Sequence, residues 1–159
     1  MKAKPLPDAN YLRLMFGYDP MTGRMWLSSN PSKSAGYPKN RKRLYVRVCG
    51  REYPLSRVIW KMMTGSEPNG LVDHKNLDSF DDRWTNLREA TYGQNRANSN
   101  RSANNKSGVK GVCWHKGAWV ARIKSQGRTR EIGRFQSKED AGRAYVEQAQ
   151  IEFGQFARG

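Results

Sequence analysis

The sequence contains few cysteines, few histidines and no long apolar run, and each shortage excludes a class of protein. Its 159 residues include only Cys49 and Cys113, with no CxxC pair, and two histidines. This inventory argues against a Cys/His zinc site and against a disulfide-bonded scaffold. No stretch approaches the ~20 apolar residues of a membrane span, and the first residues lack the apolar segment of a signal peptide. We therefore expect no membrane association and a location in the cytoplasm of the cell or host.

Positive charge is abundant and unevenly distributed. Lys and Arg number 29 against 14 Asp and Glu, for a net charge of +15. Residues 1–57 carry +9, residues 58–100 carry −1 and residues 101–159 carry +7. Two basic ends around an acidic centre indicate a polyanion binder in which a cation lies between central carboxylates and phosphates. A solvated acidic loop would produce the same charge pattern.

The first part of the chain predicts a mixture of short helices and strands. Asp8 is a candidate cap for a helix whose apolar face extends to Phe16. A candidate strand at 25–27 is followed by a Ser-, Pro- and Gly-rich stretch, residues 28–40, which we interpret as a loop. Residues 44–55 then resemble a hairpin, and a helix begins near Ser56 and ends near Gly65.

The last part of the chain predicts a small module of three strands and a helix. Residues 99–107 contain no aliphatic side chain larger than alanine and are interpreted as an interdomain linker. Strands are expected over 109–115, 118–124 and 128–135. Ser137 begins a capping-box pattern that leads into an alanine-rich helix.

The central segment, residues 70–98, concentrates polar groups of catalytic type. Asp73 and His74 follow the apolar pair Leu71-Val72, and a second short strand is expected at 86–88. Thr91 is a candidate cap of a helix that carries Asn95. A ββα arrangement would bring Asp73 and His74 over the first turn of that helix.

This combination of side chains suits phosphodiester hydrolysis. Carboxylate and amide oxygens, as on Asp73 and Asn95, favour Mg²⁺ or Mn²⁺. The imidazole of His74 is of the type that takes a proton from water near neutral pH. The Asp-His pair by itself would also fit an ordinary surface turn.

The segment VDHKNLDSFDDRWTNLREATYGQNRAN, beginning at Val72, resembles the HNH or ββα-metal nucleases, in particular the phage intron-associated homing endonucleases. The resemblance implies an α+β fold with a nuclease domain over residues 1–98 and its ββα-metal core at about 70–98. It makes His74 the general base and Asp73 and Asn95 the ligands of one Mg²⁺ or Mn²⁺, without zinc. Asn86 then orients the base and its loop. The third position of the motif is Asn95 rather than histidine, as in His-Asn-Asn variants.

Residues 106–153 resemble the DNA-binding domain of plant ethylene-response factors, in which a three-stranded antiparallel sheet packs on one helix, and we assign the domain to residues 108–159. The matching elements are Gly108-Val109-Lys110-Gly111-Val112, Trp119-Val120-Ala121-Arg122-Ile123, Ile132-Gly133-Arg134-Phe135 and Ala141-Gly142-Arg143-Ala144-Tyr145. The resemblance implies that the sheet face opposite the helix contacts the major groove. By position, the contact residues are Lys110, His115, Arg122 and Lys124. Cys113 and Glu131 depart from the plant pattern, so its target sequence does not transfer, and His115 also fits a bystander role.

Other basic side chains are candidate DNA contacts. Arg41, Lys42 and Arg43 form a basic stretch that would bind the DNA backbone, or would be a solvated loop. Arg83 and Arg88 are either phosphate contacts or solvated charge.

The leading hypothesis is a monomeric, metal-dependent endonuclease of homing type, phage-encoded, that acts on double-stranded DNA. A non-catalytic, sequence-specific DNA-binding regulator is the alternative. An RNA-directed protein is a third hypothesis, because a basic surface does not by itself choose between nucleic acids.

Overall fold

The computed structural model describes residues 4–40 and 42–158 and has an α+β fold, as the sequence predicts. Contacts divide the chain into an N-terminal unit, Met1–Ala90, and a C-terminal unit, Thr91–Gly159. Among the helices of the described residues, none is both long enough and apolar enough to cross a membrane.

The described residues of the N-terminal unit form two helices and eight strands in three antiparallel sheets. The sheets are β1-β2-β3, β4-β5-β6 and β7-β8. In chain order the elements are α1 (Ala9–Met15), β1 (Phe16–Tyr18), β2 (Met25–Leu27), β3 (Asn30–Ser34), β4 (Tyr37–Lys39), β5 (Arg43–Val48), β6 (Arg51–Pro54), α2 (Leu55–Thr64), β7 (Leu71–His74), a 3-10 turn (Trp84–Asn86) and β8 (Leu87–Ala90).

Helix α2 supplies much of the core of this unit. Its buried face repeats at helical spacing through Leu55, Val58, Ile59 and Met62, as the sequence predicts for an amphipathic helix. The helix ends at Gly65, whose φ of +82° is a left-handed conformation that glycine adopts without steric cost. The core also contains side chains from the first two sheets and from α1, among them Leu12, Phe16, Met25, Val46, Val48 and Tyr53.

Two predictions for this unit are wrong in detail. Residues 28–40 are not a loop, because they contain β3, which pairs with β2, and β4, which pairs with β5. Every side chain of β3 is exposed, so the strand depends on backbone pairing and has no apolar alternation to reveal it. Phe16 lies in β1 rather than on the face of α1, although Asp8 does cap the helix by accepting from the Asn10 amide.

The C-terminal unit consists of a three-stranded antiparallel sheet and two helices. The strand order is β11-β10-β9, and α4 packs on the sheet. The elements are α3 (Tyr92–Asn98), β9 (Val112–His115), β10 (Ala118–Ser125), β11 (Arg128–Phe135), α4 (Lys138–Phe153) and a 3-10 turn (Gly154–Phe156).

The core of the C-terminal unit lies between α4 and the sheet. Ala141, Tyr145 and Ala149 of α4 face Ala121 and Ile123 of β10. The small alanine side chains allow the helix to approach the sheet closely. Trp119 is half-buried and packs against this core, in agreement with its predicted side of the strand.

The division by contacts falls at 90/91, and the domain boundary predicted from the sequence falls at 98/99. The sequence suggests a division at 98/99 with a linker over 99–107, whereas contacts place α3 in the C-terminal unit. Within that unit, the Arg158 guanidinium donates to Asn98 Oδ1 at 3.0 Å. The predicted linker is also held locally, since Ser107 Oγ donates to Val112 O at 2.7 Å. This segment lacks aliphatic contacts, which is why the sequence suggests a linker. Hydrogen bonds from polar side chains to the backbone hold it instead.

Candidate active site

The candidate site is built on the hairpin of β7 and β8. In its register Asp73 is opposite Arg88 and His74 is opposite Leu87. Asp73 and His74 are therefore the last two residues of β7 itself, and their side chains point to opposite faces of the strand because successive residues alternate. Each side chain consequently has its own set of neighbours.

Asp73 lies next to an arginine on the facing strand. The Arg88 Nε–H donates to Asp73 Oδ2 at 2.9 Å, and the two side chains are 11% and 6% exposed. Such a pair orients the carboxylate and places a positive charge beside it. The sequence suggests Arg88 as a DNA contact, and the structure places its guanidinium on Asp73.

His74 contacts a second aspartate that the sequence interpretation left without a role. His74 Nε2 lies 3.0 Å from Asp82 Oδ1, and the Asp82 side chain is only 2% exposed. Because an ionised carboxylate can only accept, Nε2–H is the donor in this bond when Asp82 is ionised. The other carboxylate oxygen, Asp82 Oδ2, is buried and has no hydrogen-bond partner among the described residues.

The backbone around Asp82 is fixed by the first sheet and the turn that follows it. The Tyr18 hydroxyl donates to Asp82 O at 2.8 Å, and Trp84 N donates to Pro20 O at 3.0 Å. Gly23 permits this close approach, because a Cβ there would lie 2.6 Å from Arg83 N and its φ is +76°. Burial, followed by the charge of Asp82, raises the pKa of the Tyr18 hydroxyl well above its usual range.

Asn86 closes the loop between the two strands. Its Oδ1 accepts from Asn76 N at 3.0 Å, and its Nδ2 donates to Asn76 Oδ1 at 2.9 Å and to Asp81 O at 2.7 Å. Its side chain therefore bonds both to the residues that follow His74 and to the residue that precedes Asp82.

The same loop contains an ion pair on its outer side. Arg83 donates from Nε and Nη2 to the two oxygens of Asp81 at 2.7 and 2.6 Å. The Arg83 guanidinium lowers the pKa of the Asp81 carboxyl to about 2. Arg83 is 53% exposed, so it is accessible at this surface while paired.

Asn95 is carried by α3, which belongs to the C-terminal unit. The helix begins as the sequence predicts, because Thr91 Oγ1 accepts from Gln94 N and the Gln94 side chain accepts from Thr91 N, which together form a capping box. Asn95 is half-buried and lies near the start of the helix. Its backbone N–H donates to Thr91 O at 2.9 Å.

The remaining basic candidates occupy different environments. Arg41 lies outside the described residues, while Lys42, just before β5, and Arg43, the first residue of β5, are both exposed. The Lys110 ammonium donates to Ser99 O at 2.8 Å and to Ala97 O, and burial lowers its pKa. His115 and Lys124 are exposed on β9 and β10, and Arg122 forms an ion pair with Glu131 at 3.5 Å.

The described residues contain no group of three His, Cys, Asp or Glu side chains that would form a complete metal cage. A cage is not required for Mg²⁺, which keeps several waters and binds through one or two protein oxygens together with substrate phosphates. The Asp73 carboxylate and the Asn95 amide are hard oxygen donors of this kind. By its donor chemistry, the Asp73 carboxylate of the N-terminal unit therefore fits a hard divalent cation such as magnesium or manganese.

Asp82 is the functional candidate that sequence reasoning missed. The acidic pair Asp81-Asp82 is visible in the sequence, but nothing local indicates which of the two faces His74 and which pairs with Arg83. The distance from Asp82 to His74 depends on the path of the intervening loop.

Comparison with protein families finds a match to a family model described as HNH endonuclease, over residues 53–97. The match extends from β6 to α3 and includes Asp73, His74, Asn86 and Asn95. It supports an HNH nuclease domain in this part of the chain, a class of hydrolase that acts on DNA and depends on a divalent metal ion. No curated protein and no solved structure matches the chain.

Proposed function

We propose that the chain is a metal-dependent DNA endonuclease of homing type, phage-encoded and monomeric. In this proposal the β7–β8 hairpin supplies the hydrolytic groups, and the sheet of the C-terminal unit recognises the DNA sequence. The observation that carries the proposal is the hairpin itself, which presents Asp73 and His74 on adjacent positions inside the segment that matches HNH endonucleases.

His74 acts as the general base in the proposed mechanism. Because Nε2–H is bonded to Asp82, the lone pair of the neutral ring is on Nδ1, and Nδ1 is the atom that accepts a proton from water. The hydroxide equivalent then attacks the phosphorus of the scissile bond, the bond from phosphorus to the leaving 3′ oxygen breaks, and that oxygen takes a proton from solvent. Proton transfer of this kind contributes typically ~10²–10⁴-fold to the rate.

Asp73 and Asn95 are the proposed ligands of one Mg²⁺ or Mn²⁺ ion. When bound, such an ion neutralises the negative charge that develops on the phosphate and on the leaving oxygen. Arg88 holds the Asp73 carboxylate at 2.9 Å and adds positive charge where a phosphate would approach. Asn86 fixes the loop that follows His74, so its role is to position the base rather than to react.

The proposed recognition surface is the face of the C-terminal sheet opposite α4. Ile123 is buried in the core on the helix side, and strand alternation sends its neighbours Arg122 and Lys124 to the other face. His115 belongs to the same proposed surface. Lys110 is proposed with them, although its ammonium already donates to two backbone carbonyls.

Two further groups are proposed to bind the DNA backbone without reading its sequence. Arg41, Lys42 and Arg43 form a basic stretch in the N-terminal unit, and Arg83 is an exposed guanidinium beside the site. Contacts of this type release counterions and so make the affinity depend on salt.

The experiment that tests the proposal is conversion of supercoiled plasmid or phage DNA to nicked and linear forms. Wild type and His74→Ala are compared with Mg²⁺ and with EDTA, and DNA binding is measured in parallel by fluorescence anisotropy. Leu14→Ala is the control, because that side chain is 77% exposed on α1 and has no role in the site.

We expect Mg²⁺-dependent cleavage by wild type and Leu14→Ala, and a loss of about 100-fold or more in His74→Ala with DNA binding retained. Tight, sequence-selective binding with no metal-dependent cleavage would instead favour the regulator. Preferential binding or cleavage of structured RNA in competition with duplex DNA would contradict a DNA-directed enzyme.

A further inference from the structure

We infer that Asp82 is a positioning residue that holds the His74 imidazole in its Nε2–H tautomer and in a single orientation. The contact between Asp82 and His74 is present whatever the protein does. Its role in catalysis rests on the proposed function, in which His74 is the general base.

The contact has the distance and the burial of a well-formed hydrogen bond. His74 Nε2 and Asp82 Oδ1 are 3.0 Å apart, and the two side chains are 11% and 2% exposed, so water competes little for either atom. A carboxylate that accepts from Nε2–H excludes the tautomer with its proton on Nδ1. A base whose tautomer is selected in advance needs no rearrangement before it takes a proton from water.

Asp82 is itself immobilised from both sides, which is required if it is to orient another group. Tyr18 donates to its carbonyl at 2.8 Å, and Asn86 Nδ2 donates to the preceding carbonyl, Asp81 O, at 2.7 Å. Gly23 lies so close to the Asp82–Arg83 peptide that no larger residue would fit without a shift of the backbone. These contacts therefore hold the backbone that carries the Asp82 carboxylate beside the imidazole.

The second carboxylate oxygen indicates that Asp82 lowers the stability of the fold. Asp82 Oδ2 is buried without a hydrogen-bond partner among the described residues, and an unsatisfied buried polar atom costs stability. A residue that only anchored the loop would have no need of this charge, because the loop is already held by the side chain of Asn86 and the hydroxyl of Tyr18. The cost is explained if the carboxylate is retained for its bond to His74.

The first test is a spectroscopic one that does not require activity. The chain has only two histidines, so ¹H–¹⁵N spectra of the imidazole groups contain few signals, and a variant at His115 assigns them. We expect the Hε2 proton of His74 to be visible in wild type at pH 8, protected from exchange by its bond to Asp82. Its absence in wild type would overturn the inference without any variant of Asp82.

The second test compares three aspartate variants. Asp82→Ala removes the acceptor, Asp82→Asn retains an acceptor oxygen of the same size, and Asp78→Ala removes an exposed aspartate of the same loop that contacts Phe80 N instead. We expect Asp82→Ala to lose the Hε2 signal and to lower kcat by at least ~10-fold, within the ~10²–10⁴-fold that a general base contributes. KM and DNA affinity should stay within about twofold of wild type, since the bond is not a substrate contact. Asp82→Asn should restore most of kcat, and Asp78→Ala should match wild type.

Two results would overturn the inference. One is an Asp82→Ala protein that is folded by circular dichroism and cleaves as fast as Asp78→Ala. The other is an Asp82→Asn protein that is folded and as inactive as Asp82→Ala, which would deny the role of the acceptor oxygen. A His74→Ala protein with wild-type cleavage would instead refute the proposed function, and the Hε2 signal of wild type would still decide the contact itself.

Discussion

Replacing Asn86 by alanine should loosen the loop that joins the two strands of the hairpin. The Asn86 side chain is 7% exposed and makes three hydrogen bonds, to Asn76 N, Asn76 Oδ1 and Asp81 O. A typical net contribution is ~0.5–1.5 kcal/mol for each bond, so their loss should cost about 2–4 kcal/mol in the free energy of unfolding of the loop region. With a urea m-value of ~1–3 kcal/mol/M, the midpoint should fall by about 1 M or more.

Hydrogen exchange measured by mass spectrometry locates the effect. The Asn76 amide donates to Asn86 Oδ1, so peptides that contain residues 75–82 should exchange faster in Asn86→Ala, while those from α2 should change little. Asn30→Ala is the matched control, because Asn30 is exposed on β3 and its Oδ1 accepts from the exposed Ser32 hydroxyl at 2.6 Å. It should cost no more than about 0.5 kcal/mol. A similarly small cost in Asn86→Ala, with unchanged protection of the loop, would refute the reasoning.

Three other predictions concern acid stability, packing and DNA affinity. Because the pKa of Asp81 is lowered from 3.8 to about 2, wild type should be more stable than Asp81→Asn at neutral pH, and urea midpoints should show that this advantage disappears as the pH falls from 4 to 2. Gly111→Ala would place a Cβ 2.1 Å from a tyrosine ring at φ +73° and should cost about 2–4 kcal/mol in thermal unfolding, whereas Gly127→Ala, at φ +78° in open space, should cost only ~1–2 kcal/mol. Lys124→Ala should reduce the slope of log affinity against log salt by about 0.9, and an unchanged slope would contradict the proposed DNA face.

Several elements were predictable because their signals are local. Helix α2 has an apolar stripe at helical spacing and a glycine at its end, and both features survive in the structure. The helix cap at Thr91 and the strand Arg128–Phe135 were likewise expected at the positions where the structure has them. In each case the residues that determine the conformation lie within a few positions of one another.

Other elements were missed because their partners are distant in sequence or because their side chains carry no pattern. Strand β3 exposes every side chain, so its pairing with β2 was not visible. Strand β9 begins at Val112 rather than at Val109, because Gly111 has a φ of +73° and the preceding residues form a turn. The ββα pattern and the family resemblance keep helix α3 with the nuclease part in the sequence prediction, and the contacts group it with α4.

The candidate site shows the same division. The sequence alone predicts which groups react, since residue type and spacing select the Asp73-His74 pair and Asn86 as candidates. Tertiary structure alone decided their partners, with Arg88 on Asp73 and Asp82 on His74. The physical reason is that residue type fixes what a side chain is able to do, whereas hydrogen bonds of about 3 Å depend on the register of the hairpin and the path of its loop.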